Sequence, residues 1–266
     1  MTGVAGVMAL VLAEAVAGST VFLWLTPLWG EVKPGFFALV GSVVTVLAVG
    51  AWFSVASAVV DAYGPGDLLR ATTIAATAAS AVSTLLLFAR QRTVARVVGV
   101  LSVPLWLAVL ASMGGAGRQS LGLSLFQLAA GAALLGATTD GLLLGHWYLT
   151  DRRLTRRPIE RTTTILLVSV VVAAVAVITA GFSGVEVATS INPLLTAGAL
   201  APWIALGMIA ATALIAVLVK AALRGERASA VQSATGFYYL AVVTAFTAEV
   251  AVKTRFLDTA LGARAT

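Results

Sequence analysis

Eight long apolar runs fill almost all of this 266-residue chain, and they restrict its fold more than any motif in it. A helix needs roughly 20 apolar residues to cross a hydrocarbon layer of about 30 Å, and inside that layer its backbone must satisfy its own hydrogen bonds. The runs cover residues 3–28, 36–60, 71–89, 97–112, 121–149, 163–182, 195–219 and 230–252. They predict an all-α, polytopic membrane bundle of about eight transmembrane helices, forming a single domain over residues 1–266. Only 11% of the residues are charged, against roughly 25% in soluble domains, and no polar stretch is long enough for a separate aqueous domain. The first run lacks a basic leader and is too long for a signal peptide, so it reads as the first span.

Breakers mark the joints: Gly30 and Pro34-Gly35 after the first run, Gly64-Pro65-Gly66 after the second, Gly114, Gly115 and Gly117 after the fourth, Asn192-Pro193 after the sixth. The net charge of +6 would suggest nucleic acid in a soluble protein. Here the basic residues collect between spans, where they act as topology signals and headgroup contacts, so membrane lipid and not nucleic acid is the expected partner. Twelve of the seventeen Lys and Arg residues lie in the joints after spans one, three, five and seven. Positive-inside then places both termini outside, and a bacterial inner (cytoplasmic) membrane is the expected location.

The composition also narrows the chemistry. Zero cysteines leave no disulfide and no thiolate ligand, and a single histidine leaves no axial pair, so no intrinsic haem or iron–sulfur cluster is expected. Metal-binding spacings, a Ser-His-Asp set and a Gly-rich phosphate loop are likewise missing from the sequence.

Two carboxylates stand deep inside spans, Glu14 and Asp140. A charge there costs about 2.5–3.5 kcal/mol on insertion scales, so each must face protein or water, or carry a proton. Proton transfer is the functional reading; a neutral carboxyl bonded to a neighbouring helix is the structural one. His146, Trp147 and Tyr148 stand at the end of the fifth span, as an ordinary aromatic belt or as a quinone headgroup site, which needs a donor for the carbonyl and aromatic walls. Tyr238 and Tyr239 lie on the same side and would close such a pocket if span eight packs on span five. Glu249, three turns from Tyr238, is expected near the outer boundary, paired with Lys253 or Arg255. Arg152, Arg153, Arg156, Arg157 and Arg161 make the most basic joint, read as a positive-inside anchor or a docking site for partner subunits. Gly131 and Gly136 are read as small residues that let helices approach.

The stretch Asp140-Gly-Leu-Leu-Leu-Gly-His-Trp-Tyr-Leu149, with Gly236-Phe-Tyr-Tyr-Leu240 and Glu249 after it, resembles bacterial polytopic membrane proteins that carry this Gly-His-Trp-Tyr-Leu motif in respiratory gene neighbourhoods. More distantly, the cofactor-poor eight-span plan is similar to quinol-interacting membrane anchors of the NrfD and DmsC type. That resemblance implies a quinone site beside a partner's iron–sulfur subunit, with Asp140, His146 and Glu249 as counterparts of its site residues. The expectation is a membrane subunit of a respiratory oxidoreductase that binds quinone at His146, Trp147, Tyr148 and Tyr238, moves protons through Glu14 and Asp140, and anchors redox partners. A small proton-coupled transporter and a membrane scaffold without chemistry are the rivals.

Overall fold

Proline and glycine set the first joint. Pro27 opens a short 3-10 turn, Thr26–Trp29, after α1 (Gly3–Leu25), and Gly30 at φ 69° reverses the chain. Pro34 then begins α2 (Pro34–Ala58), a position where its missing N–H costs nothing. The computed structural model describes residues 3–59, 65–116, 119–151, 153–181, 197–225 and 229–261. The further helices are α3 (Pro65–Phe88), α4 (Arg92–Gly114), α5 (Leu121–Thr150), α6 (Arg157–Gly181), α7 (Ala197–Leu223) and α8 (Ser229–Leu261), with no strand among the described residues. All eight are long and apolar enough to cross a membrane, and the chain is a multi-pass membrane protein.

Most helices extend beyond the apolar runs. Hydropathy finds the hydrocarbon-facing length, whereas Lys, Arg and Glu are good helix formers that continue a helix into the headgroup region. Thus α6 starts at Arg157 and includes Glu160 and Arg161, and α8 runs nine residues past Val252. The turn between α3 and α4 closes with Gln91 N–H donating to Leu86 C=O at 2.9 Å and Arg90 N–H to Leu87 C=O at 3.1 Å. Arg90 takes the left-handed position there, at φ 61°, where glycine is usual.

Helices α1 and α5 form the inner pair: 72% and 61% of their apolar windows are buried, against 28–44% for the other six. Their backbones meet at glycine. A Cβ on Gly18 would overlap the Ala132 carbonyl, and one on Gly136 would overlap the backbone of Gly18. Close approach of this kind is how lipid-embedded helices gain contact without a hydrophobic driving force. Helix α8 packs against both members of the pair, α2, α4 and α6 complete the surround, and two helices lie outside, α3 on α2 and α4 and α7 on α6 and α8. Hydroxyls bind the periphery, with Trp106 Nε1–H donating to Ser80 Oγ at 3.0 Å and Thr212 sharing a 2.7 Å hydrogen bond with Thr244. Because neighbouring helices alternate in direction, the start of α1, the start of α5 and the end of α8 share one end of the bundle, here the terminal end. The arginine-rich joints lie at the other.

Candidate functional site

Two residues of α8, four apart and so on one stripe, face the inner pair: Glu249 and Lys253. Neither reaches water, with 2% and 0% of their surfaces exposed, and Glu14 of α1, also 0% exposed, meets them. Lys253 Nζ stands 2.6 Å from Glu14 Oε1 and 3.3 Å from Glu249 Oε2. Helix α5 makes the room. A Cβ on Gly131 would lie 2.6 Å from Glu14 Oε1, so a side chain there would displace the carboxylate from this position. The Lys253 ammonium also stands 5.9 Å from the Phe256 ring centre, a cation–π contact.

With all three groups ionised the cluster carries one net negative charge, and one proton makes it neutral. In hydrocarbon a buried net charge is expensive and a neutral cluster is not, so this arrangement accepts and returns a single proton. On α5, Gln127 and Ser124 lie one and two turns from Gly131 toward the terminal end, and they are 5% and 0% exposed. Gln127 Oε1 and Ser124 Oγ have no hydrogen-bond partner among the described residues.

Glu249 does pair with Lys253, one of its two expected partners, but in a different setting. It is not a boundary residue near the surface but part of the core, because α8 continues through Lys253 and its ammonium replaces water as the partner. Lys253 itself is the residue that sequence reasoning missed as part of a site. Its charge ended the apolar run at Val252, so it read as the boundary; the Glu-x-x-x-Lys spacing was the available signal.

Asp140 lies nine residues from Gly131 along α5, about 13 Å nearer the arginine-rich end. It is 2% exposed and its Oδ1 has no hydrogen-bond partner among the described residues. Its neighbour Gly141 gives its space to the Tyr238 phenol, whose oxygen is 3.0 Å from Thr163 Oγ1 of α6. Glu14 and Asp140 thus occupy one inner layer, α1–α5–α8, at two heights.

The aromatic candidates part company. His146 Nε2 is 2.8 Å from the hydroxyl of Tyr239, which is half-exposed on α8, so spans five and eight do adjoin at this point. Trp147 turns to α2, edge-on to Phe36 with ring centres 6.4 Å apart and against Gly35. Tyr148 O–H donates to the Thr155 carbonyl in the α5–α6 joint, and Tyr238 belongs with Asp140 and Thr163. The four residues expected around one quinone face four separate neighbourhoods, since successive positions of a helix point about 100° apart.

At the arginine-rich end, Lys33 pairs with Asp151 at 2.9 Å and Arg161 with Glu31 at 3.6 Å. Arg161 also covers Trp29, 5.9 Å from its ring centre, and Arg156 donates to the Leu223 carbonyl at 3.3 Å. Arg157, Glu160, Arg161 and Trp29 line an open cleft of about 500 Å³. Arg153 is exposed on the joint, and Arg152 lies outside the described residues. Several of these basic side chains thus close the joint on itself. No group of three or more His, Cys, Asp or Glu residues suited to a metal ion occurs among the described residues.

Comparison with family models, curated proteins and solved structures returned no match.

Proposed function

We propose that this chain is a proton-handling membrane subunit of a quinone-linked respiratory oxidoreductase in a bacterial inner membrane, where it also anchors redox partners. The observation that carries the reading is the buried Glu14–Lys253–Glu249 cluster. An isolated structural ion pair in hydrocarbon would be neutral, and the second carboxylate adds the capacity for one exchangeable proton. A cavity beside Val252 and Gln127 has room for about one water molecule, with a volume near 10 Å³, which suits a proton and not a solute. Asp140, at the second height of the same layer, serves as the next station.

His146 and Tyr239 are the residues we assign to a quinone carbonyl. Their 2.8 Å pair leaves one donor free, the Tyr239 O–H or the His146 Nδ1–H according to the tautomer, at a half-exposed face of α5 and α8 open to a headgroup arriving from lipid. A bound quinone would take electrons from a partner subunit and the protons that go with them. Arg153, Arg157 and the cleft beside Trp29 present positive charge to such a partner.

The test is reconstitution of the purified protein in liposomes with an internal pH dye and an imposed membrane potential. Wild type should take up protons, and Glu14→Gln and Lys253→Met should not; uptake no faster than in empty liposomes would end the proton reading. Affinity purification from native membranes, with mass spectrometry of proteins and lipids, tests the redox placement. Redox subunits and stoichiometric quinone support it, and a lone protein carrying neither overturns it.

One feature favours a proton-coupled transporter as second reading. Glu14–Lys253 joins the first helix to the last, so a proton that breaks it loosens α1 from α8, a hinge an alternating cycle would use. Proton uptake that depends on an added solute would select it.

A further inference from the structure

We infer that the Glu14–Lys253–Glu249 cluster exchanges protons with the terminal end of the bundle through a water-holding entrance built by Gln127. The inference rests on the proton-handling reading and adds to it a route and a side.

A cavity of about 10 Å³ lies beside Gln127 on α5, walled by Val252 and Phe256, which flank Lys253 on α8, and lined further by Gln119 and Arg255. That volume is close to one water. Two of its lining residues carry amide oxygens, Gln127 Oε1 and Gln119 Oε1, that are buried with no partner among the described residues. Gln119 is held in place, its Nε2–H donating to the Ala180 carbonyl at 3.2 Å. A buried carbonyl left unpaired costs about 1–3 kcal/mol, and a water bonded to both oxygens removes that cost twice over. Such a water would sit one helical turn from Gly131, the glycine on which the Glu14 carboxylate rests.

The opposite direction is more apolar. Leu134, Leu135, Ala137, Ala245 and Ala248 are buried there and Thr138 donates to its own helix at Leu134 C=O, with Thr139 of α5 and Ser19 of α1 as the other buried hydroxyls, the Ser19 Oγ without a partner among the described residues. On the terminal side protons pass as along any water file: each water hands one proton forward and accepts one from behind, so one H⁺ moves and no water is consumed. Gln127 has no proton to give at neutral pH. It is a positioning residue that holds the water, while Glu14 and Glu249 receive the proton.

Hydroxyl-radical footprinting by X-ray pulses tests this without relying on transport, because radicals formed from a bound water mark the side chains touching it. In the full-length protein Phe256 should be modified although only 2% of it is exposed, and Phe36, 0% exposed and away from this cavity, should not. Gln127→Met should lower Phe256 modification several-fold and slow proton uptake in liposomes about tenfold, and Gln127→Glu, which keeps the carbonyl oxygen, should retain both. Phe256 as protected as Phe36 in wild type overturns the entrance. So does Gln127→Met that loses the modification yet takes up protons at the wild-type rate. Modified Phe256 in a wild type that takes up no protons overturns the proton reading itself and leaves a structural water.

Discussion

Lys253 Nζ lies 2.6 Å from Glu14 Oε1, so an ion pair without solvent contact ties the last helix of the bundle to the first. Glu249 makes the tie asymmetric, because the cation has a second partner at 3.3 Å and the Glu14 carboxylate has no second cation among the described residues.

That asymmetry predicts unequal mutants. Glu14→Gln leaves Lys253 with Glu249, a neutral pair, and should cost less than about 2 kcal/mol. Lys253→Met leaves two carboxylates together in the core and should cost about 3–5 kcal/mol, the usual loss when one partner of a buried pair is removed. The double variant Glu14→Gln/Lys253→Met should recover part of it. Unfolding midpoints in detergent decide the matter, and equal losses in the two single variants would show that Glu249 does not share the cation.

Helix contact at Gly18 and Gly136 predicts a steric effect with an internal control. Gly136→Val should destabilise by about 1–3 kcal/mol or more, because its branches would meet the Gly18 backbone. At Gly207 an added Cβ meets no atom within 4 Å, so Gly207→Val should fold at near wild-type yield. Fluorescence-detected chromatography of the two variants side by side measures the contrast.

For Asp140, a carboxylate oxygen without a partner among the described residues predicts that the amide is tolerated. Asp140→Asn removes a potential charge from hydrocarbon and should leave stability unchanged within about 1 kcal/mol, or raise it, while proton uptake falls. A large loss of stability would reassign Asp140 to an ion pair or hydrogen bond that holds the helices.

His146 and Tyr239 should behave as one unit. Tyr239→Phe and His146→Ala should lower quinone-linked turnover by similar factors, with the double variant no worse than either, since each breaks the same 2.8 Å contact. Tyr238→Phe, which loses only its bond to Thr163, should leave quinone occupancy intact. Turnover and extracted quinone, measured on all four proteins, separate these outcomes.

Hydrophobic length determined the eight helices, the short joints between them and the two carboxylates that cannot face lipid, because backbone hydrogen bonding in hydrocarbon leaves only helices and closed barrels, and apolar runs of about 20 residues fit helices. Helix ends were less legible: Arg157, Arg161 and the residues from Lys253 to Leu261 carry charge and still continue a helix, so hydropathy undercounts them. What a sequence of near-uniform apolar helices does not encode locally is which faces meet. Only the tertiary structure decided that α8 lies on α1 and α5, turning Lys253 from a boundary residue into the counter-charge of Glu14, and that His146 meets Tyr239 while Trp147, Tyr148 and Tyr238 look elsewhere. The physical reason is that small residues and glycines such as Gly18, Gly131 and Gly136 select the neighbours, and their complementarity exists only between helices far apart in the chain.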